Sequence, residues 1–96
     1  MANSTRQAPI DLKRMRQVVE VARAEAITPA AETLSITQSA LSRSIADVEN
    51  QLGVQLFHRV HRGVKLTEAG ERFVARAKRL LSDIDDLIAD VTTADE

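Results

Sequence analysis

A mainly helical fold carrying one small β-hairpin is what this sequence predicts, on three observations. The 96 residues contain only 3 Gly and 2 Pro, with no Trp or Tyr and 2 Phe, which argues against a sandwich or barrel built on many turns. Apolar residues recur at three- and four-residue steps through most of the chain. That pattern breaks only after Gly53, where two short extended-type runs lie on either side of a Gly-ended turn. A chain this short forms one domain with a modest core, so further burial by pairing of chains is expected.

Residues 1–9 are polar and aperiodic and read as a loose tail. Leu12, Met15, Val18, Val19 and Ala22 then mark one face of a helix, with Asp11 as its N-cap and an end near residues 24–26. Thr28-Pro29 reads as the start of a short helix, Thr as the cap and Pro at the first helical position. Ser35-Ile36-Thr37 is a brief connection. Thr37 caps a third helix whose buried stripe is Leu41, Ile45, Val48 and Leu52, and Gly53 stops it. Leu56–Arg59 and Val64–Leu66 form a hairpin around Val60–Gly63. Thr67 caps a last helix that continues to about Val91, with Glu68 and Glu71 suited to its positive end.

The order of helix, short helix, tight turn, helix, hairpin and long helix describes a winged helix-turn-helix with a long C-terminal dimerisation helix. The boundaries read as a tail at 1–9, a winged domain at 10–67, a linker helix at 68–91 and an acidic tail at 92–96.

Charge supports a polyanionic partner once it is divided along the chain. The net charge is −1, but six of the 14 acids (Asp83, Asp85, Asp86, Asp90, Asp95 and Glu96) lie in the last 14 residues. The remaining 8 acids face all 13 basic residues within residues 1–82, a balance of +5.

The third helix shows which residues are free to read such a partner. At 100° per residue its apolar stripe clusters within about 60°. Ser39, Arg43, Ala46 and Asn50 lie opposite, Ser42 beside them, and Gln38 at the N-terminal tip. Small residues admit a helix to the major groove, Arg suits guanine O6/N7 and Gln suits adenine N6/N7. Gln38, Ser39, Ser42 and Arg43 are therefore the candidate base-reading set. An ordinary solvent face is the alternative, but such a face usually carries more Lys and Glu. The hairpin adds Arg59, Arg62 and Lys65 with His58 and His61, a basic loop suited to phosphates or a minor groove. Arg59, His61, Arg62 and Lys65, with Thr37 at the helix tip, form the candidate backbone-contact set.

On the last helix Phe73, Ala77, Leu80, Ile84, Leu87 and Val91 step by four and three, a heptad seam widened by Leu81 and Ile88. The seam is too long for the small body to cover, so a second copy of the chain is the expected partner. Asp83, Asp85, Asp86 and Asp90 have no Gly-containing loop and read as a solvated face rather than a cation site.

Other classes fit poorly. Without Cys there is no disulfide, thiolate zinc site or cysteine nucleophile. His58 and His61 lack a third ligand, a nearby acid and a nucleophile elbow, so neither a metal site nor catalysis is expected. No cofactor is implied. No apolar run approaches a membrane span and the N-terminus lacks a signal-peptide core, which favours a cytoplasmic protein. A winged-helix module that binds protein rather than DNA remains the alternative, since the fold alone permits it.

Three collinear stretches carry a family resemblance. They are AAETLSITQSALSRSIADVE at 30–49, LGVQLFHR at 52–59 and LTEAG at 66–70. Together they resemble the N-terminal DNA-binding domain of LysR-type transcriptional regulators, over roughly residues 10–88. The resemblance implies a bacterial protein whose residues at Gln38, Ser39, Ser42 and Arg43 face bases. It also implies phosphate contact at Thr28, a minor-groove approach by Arg62, and pairing through the last helix on an interrupted palindrome of double-stranded DNA. Many members have an aromatic residue at the position of Val18, Gly-Ser-Phe where this chain has Glu25-Ala26-Ile27, and Pro at the position of Ser39. Members usually continue into an effector-binding domain. The chain thus reads as a fragment or a short stand-alone member, and a small-molecule effector is implied only where such a domain exists.

Overall fold

The computed structural model describes residues 10–93. The expected tail at 1–9 and the end of the acidic tail at 94–96 lie outside the described residues. The elements are α1 (Leu12–Ala24), α2 (Ile27–Leu34), α3 (Gln38–Leu52), β1 (Phe57–Val60), β2 (Gly63–Leu66) and α4 (Glu68–Thr93). The mainly helical winged helix-turn-helix is therefore observed.

Local chemistry sets most boundaries. Asp11 caps α1 by accepting from the Arg14 N–H at 2.8 Å. Thr37 Oγ1 accepts from the Ala40 N–H at 3.0 Å and starts α3. Gly53 ends α3 in the left-handed region at φ 74°. Thr67 acts twice: its Oγ1 accepts from the Gly70 N–H at 2.9 Å and donates to the Gln55 carbonyl at 2.7 Å. The start of α4 is thereby tied to the segment entering the wing.

The expected start of the short helix is corrected. Its N-cap is Ala26, with no side-chain cap, and Thr28 and Pro29 occupy the second and third helical positions. Pro is tolerated there because none of the first four helical N–H groups has an intrahelical acceptor. The hairpin strands pair antiparallel, with Phe57 opposite Leu66 and Val60 opposite Gly63, leaving His61 and Arg62 as a two-residue turn. Gly63 is required by close approach: a Cβ there would lie 2.3 Å from the Glu25 carbonyl oxygen. That carbonyl accepts from the Val64 N–H at 3.0 Å, so the wing is stitched to the turn between α1 and α2.

The core joins Val18 and Val21 of α1, Ala30 and Ala31 of α2, and Leu41, Ile45 and Val48 of α3. Leu56, Phe57 and Val64 of the wing and Val74 of α4 complete it. A buried hydrogen bond from the Ser44 hydroxyl to Gln17 Oε1 fixes the roll of α3 against α1. Leu52 departs from its expected place in the buried stripe and is 40% exposed, because the last turn of α3 projects past the core.

The expected seam on α4 divides into two. Ala77 and Leu81 are only 2% and 8% exposed, covered by their own chain, and Phe73 packs partly against the core. Ala77 and Leu81, expected in the seam, are thus covered within their own chain. An ion pair from Arg16 to Asp85 at 3.9 Å carries the α1–α4 contact one turn further. Leu80 faces outward at 51% exposure and Ile84 is intermediate, while beyond Asp85 the apolar residues emerge fully, Leu87, Ile88 and Val91 being 55–60% exposed.

Candidate nucleic-acid interface

The N-terminal turns of α3 and the wing form one surface. The side of α3 carrying Leu41, Ser44, Ile45 and Val48 is buried, which turns Gln38, Ser39, Ser42 and Arg43 outward. The Thr37 cap keeps these turns regular, and its hydroxyl hydrogen remains available to an acceptor. Thr28 is exposed in the first turn of α2, where helical N–H groups also lack intrahelical partners.

The wing stands beside this face. Within the hairpin Arg59 and Val64 are opposed and share a side with Phe57 and Leu66, so Arg59 projects from the side that packs on the body. A groove of about 390 Å³ results, lined by Thr28, Gln38 and Ser42 on one side and Arg59 and Arg62 on the other. Five sequence-predicted residues thus meet around one concavity. Ser39 and Arg43 lie outside its walls, exposed on α3, and His61 is exposed at the wing tip. Arg62 holds the left-handed conformation at φ 69°, which closes the two-residue turn.

Electrostatics separate the cations. Arg43, Arg59 and Arg62 make no ion pair among the described residues. Lys65 differs, since its Nζ lies 3.5 Å from Glu25 Oε2. On α1, hydrogen bonding from the Arg23 guanidinium holds the Glu20 carboxyl below its ordinary range. Among the described residues no three His, Cys, Asp or Glu side chains gather as metal ligands.

Two supporting groups escaped the sequence reading. Glu49 Oε2 accepts from the backbone N–H of Leu56 at 2.7 Å and of Phe57 at 3.1 Å, anchoring β1 to α3. Its signal was an acid on the flank of the buried stripe. The Gln17–Ser44 pair is the second. Ser44 lies about 60° from Leu41 on the wheel, inside the sector that packing must fill.

Fold and face together define a winged helix-turn-helix protein whose reading helix and basic wing share one surface. The family model for bacterial regulatory helix-turn-helix proteins of the lysR family matches residues 12–71, and the chain belongs to that family. The family is one of transcriptional regulators rather than enzymes. The chain is 42% identical over 82 residues to the HTH-type transcriptional regulator YcgK of Bacillus subtilis, covering 85% of this chain and 25% of YcgK. It is 39% identical over 80 residues to the HTH-type transcriptional regulator BenM of Acinetobacter baylyi, covering 83% of this chain and 26% of BenM. The chain therefore spans about a quarter of the length of these relatives.

Solved structures agree. The BenM DNA-binding domain on catB site 1 DNA superposes with a TM-score of 0.84 at 37% identity, covering 88% of this chain and 93% of that one. The CbnR DNA-binding domain in complex with DNA gives a TM-score of 0.83 at 30% identity, covering 91% and 100%. No helix among the described residues is long and apolar enough to cross a membrane.

Proposed function

We propose that this chain is a sequence-specific double-stranded DNA-binding domain of a transcriptional regulator. The observation that carries the reading is the groove in which Thr28, Gln38 and Ser42 face Arg59 and Arg62. α3 enters the major groove, where Gln38, Ser39, Ser42 and Arg43 read base edges. Thr28 and Thr37 meet the flanking phosphates, and the wing brings Arg59, His61 and Arg62 to the backbone and minor groove. The activity belongs to the cytoplasm, where bacterial DNA lies.

We further propose that two copies pair through the distal part of α4, using Leu80, Ile84, Leu87, Ile88 and Val91. Charge on α4 is segregated: Arg72, Arg76, Lys78 and Arg79 precede Asp83, Asp85, Asp86 and Asp90. Antiparallel pairing sets the acids of one helix against the bases of the other. An apolar cleft of about 390 Å³ between Leu52, Val54, Phe73 and Leu80 offers further surface beside the same helix. Two-fold pairing places two reading helices about one DNA turn (~34 Å) apart, which suits an inverted repeat.

Selection from a random duplex pool at moderate salt tests both proposals. The expected result is enrichment of an inverted repeat with half-sites about one turn apart. Enrichment of single half-sites would reject the pairing, and no enrichment would reject the base-reading role.

A further inference from the structure

The wing carries a cation that is already engaged. Lys65 Nζ lies 3.5 Å from Glu25 Oε2, and both side chains are more than half exposed. They are 40 residues apart in sequence and meet because β2 is held against the turn between α1 and α2. The Val64 N–H donates to the Glu25 carbonyl at 3.0 Å, and Gly63 packs on the same oxygen. The pair is thereby fixed at the base of the wing, one residue from Val64 and three from Thr28, both of which line the groove beside α3.

Glu25 is also an unexpected residue for its backbone. It takes the left-handed conformation at φ 58° and ψ 24° as the C-cap of α1. A β-carbon makes that conformation unfavourable, and glycine is the usual occupant of such a cap. The Glu25 side chain forms no helix cap, and its one polar contact among the described residues is Lys65. The carboxylate therefore adds no evident stability to the turn, yet the carbonyl of the same residue receives the N–H of Val64, which lines the groove beside α3.

We propose that Glu25 tempers DNA affinity by holding Lys65 as an internal counterion. This rests on the DNA-binding reading above and adds a residue that sets its strength. A lysine neutralised within the protein displaces no counterion from a duplex, so it adds little to binding or to its salt dependence. Each phosphate neutralised by a free cation contributes about 0.9 to the slope of log K against log salt. Releasing Lys65 should therefore steepen the slope by up to about 0.9 per protomer. An exposed ion pair is a weak competitor, so the accompanying gain in affinity is modest, about two- to fivefold per protomer. Because phosphate contacts carry no base information, specific and random duplexes should gain alike.

The test is a double-mutant cycle on the 96-residue chain with Glu25→Gln, Lys65→Met and the double variant. Binding to a fluorescein-labelled random-sequence duplex is titrated by anisotropy over a series of KCl concentrations. Glu25→Gln keeps the backbone demand and the side-chain size, and thermal melts verify that each variant is folded. The expected result is tighter binding and a steeper salt slope for Glu25→Gln with Lys65 present, both effects being lost in the Lys65→Met background. An equal gain in both backgrounds would show plain repulsion of DNA by Glu25 and overturn the counterion role. Unchanged binding by a folded Glu25→Gln would overturn it too. Failure of the parent chain to bind any duplex would instead remove the DNA reading, and this inference with it.

Discussion

Replacing Glu49 with Ala tests whether the wing is held in place from α3. One carboxylate oxygen accepts two backbone N–H groups, from Leu56 at 2.7 Å and Phe57 at 3.1 Å. Leu56 is 1% exposed and Phe57 7%, so water reaches these donors poorly once the acceptor is gone. A hydrogen bond to a charged group is worth about 1.5–3 kcal/mol. Allowing for partial rehydration on the α3 side, losing both should cost about 2–4 kcal/mol, a large share of the ~5–12 kcal/mol available to a domain this small. With m of about 1.3 kcal/mol/M, near the low end for small proteins, urea unfolding followed by circular dichroism should show a midpoint lowered by about 1.5–3 M at an unchanged m-value. Glu49→Gln keeps an acceptor oxygen without its charge and should lose about half as much. Hydrogen exchange at Leu56 and Phe57 should accelerate in both variants, because the base of β1 is released. A Glu49→Ala domain within about 0.5 kcal/mol of the parent would refute the reasoning, since that is the scale of an uninvolved surface change.

Other perturbations separate the parts of the interface. Arg43→Ala should cost about 1–3 kcal/mol at a selected site and relax preference at one base pair, while random DNA is affected much less; equal losses in parallel titrations would argue against base reading. Arg62→Ala should weaken all duplexes similarly and flatten the salt slope by about 0.9 per protomer, and an unaltered slope would remove this arginine from the phosphate contacts. Leu87→Asp places a charge in the proposed pairing seam and should yield a monomer in light scattering that selects half-sites only. An unchanged dimer mass would locate the seam elsewhere.

Much of the fold was legible because its signals are local. The caps made by Thr37, Gly53 and Thr67 act within one helical turn, and each does what its residue type suggests. Thr28-Pro29 misled by two positions because proline fits any of the first helical positions that lack an N–H acceptor. Periodicity found the apolar stripes but not what covers them. Leu52 and Leu81 belong to equally regular patterns, yet one emerges at a helix end and the other is buried by its own chain. Polar supports were the least visible. Gln17 and Ser44 are 27 residues apart and Glu25 and Lys65 are 40, so their pairing depends on tertiary closure. The reading face was legible as a set of outward residues, whereas its convergence with the wing into one groove needed the hairpin register.

The last turns of α4 have a consequence for how the chain behaves on dilution. Past Asp85 the helix leans on little of its own domain, as the exposure of Leu87, Ile88 and Val91 shows. Its intrinsic preferences are also poor: Ile88, Val91, Thr92 and Thr93 are β-branched, and Asp90 sits near the negative pole with no basic residue in the last turn. In a solitary chain this end is therefore expected to fray, and a surface that covered it would also supply order. If copies pair here as proposed, association and completion of the helix become a single event, part of the contact energy being consumed in freezing the backbone. Far-ultraviolet ellipticity should then depend on protein concentration, making the tip of α4 a gauge of how many copies are present.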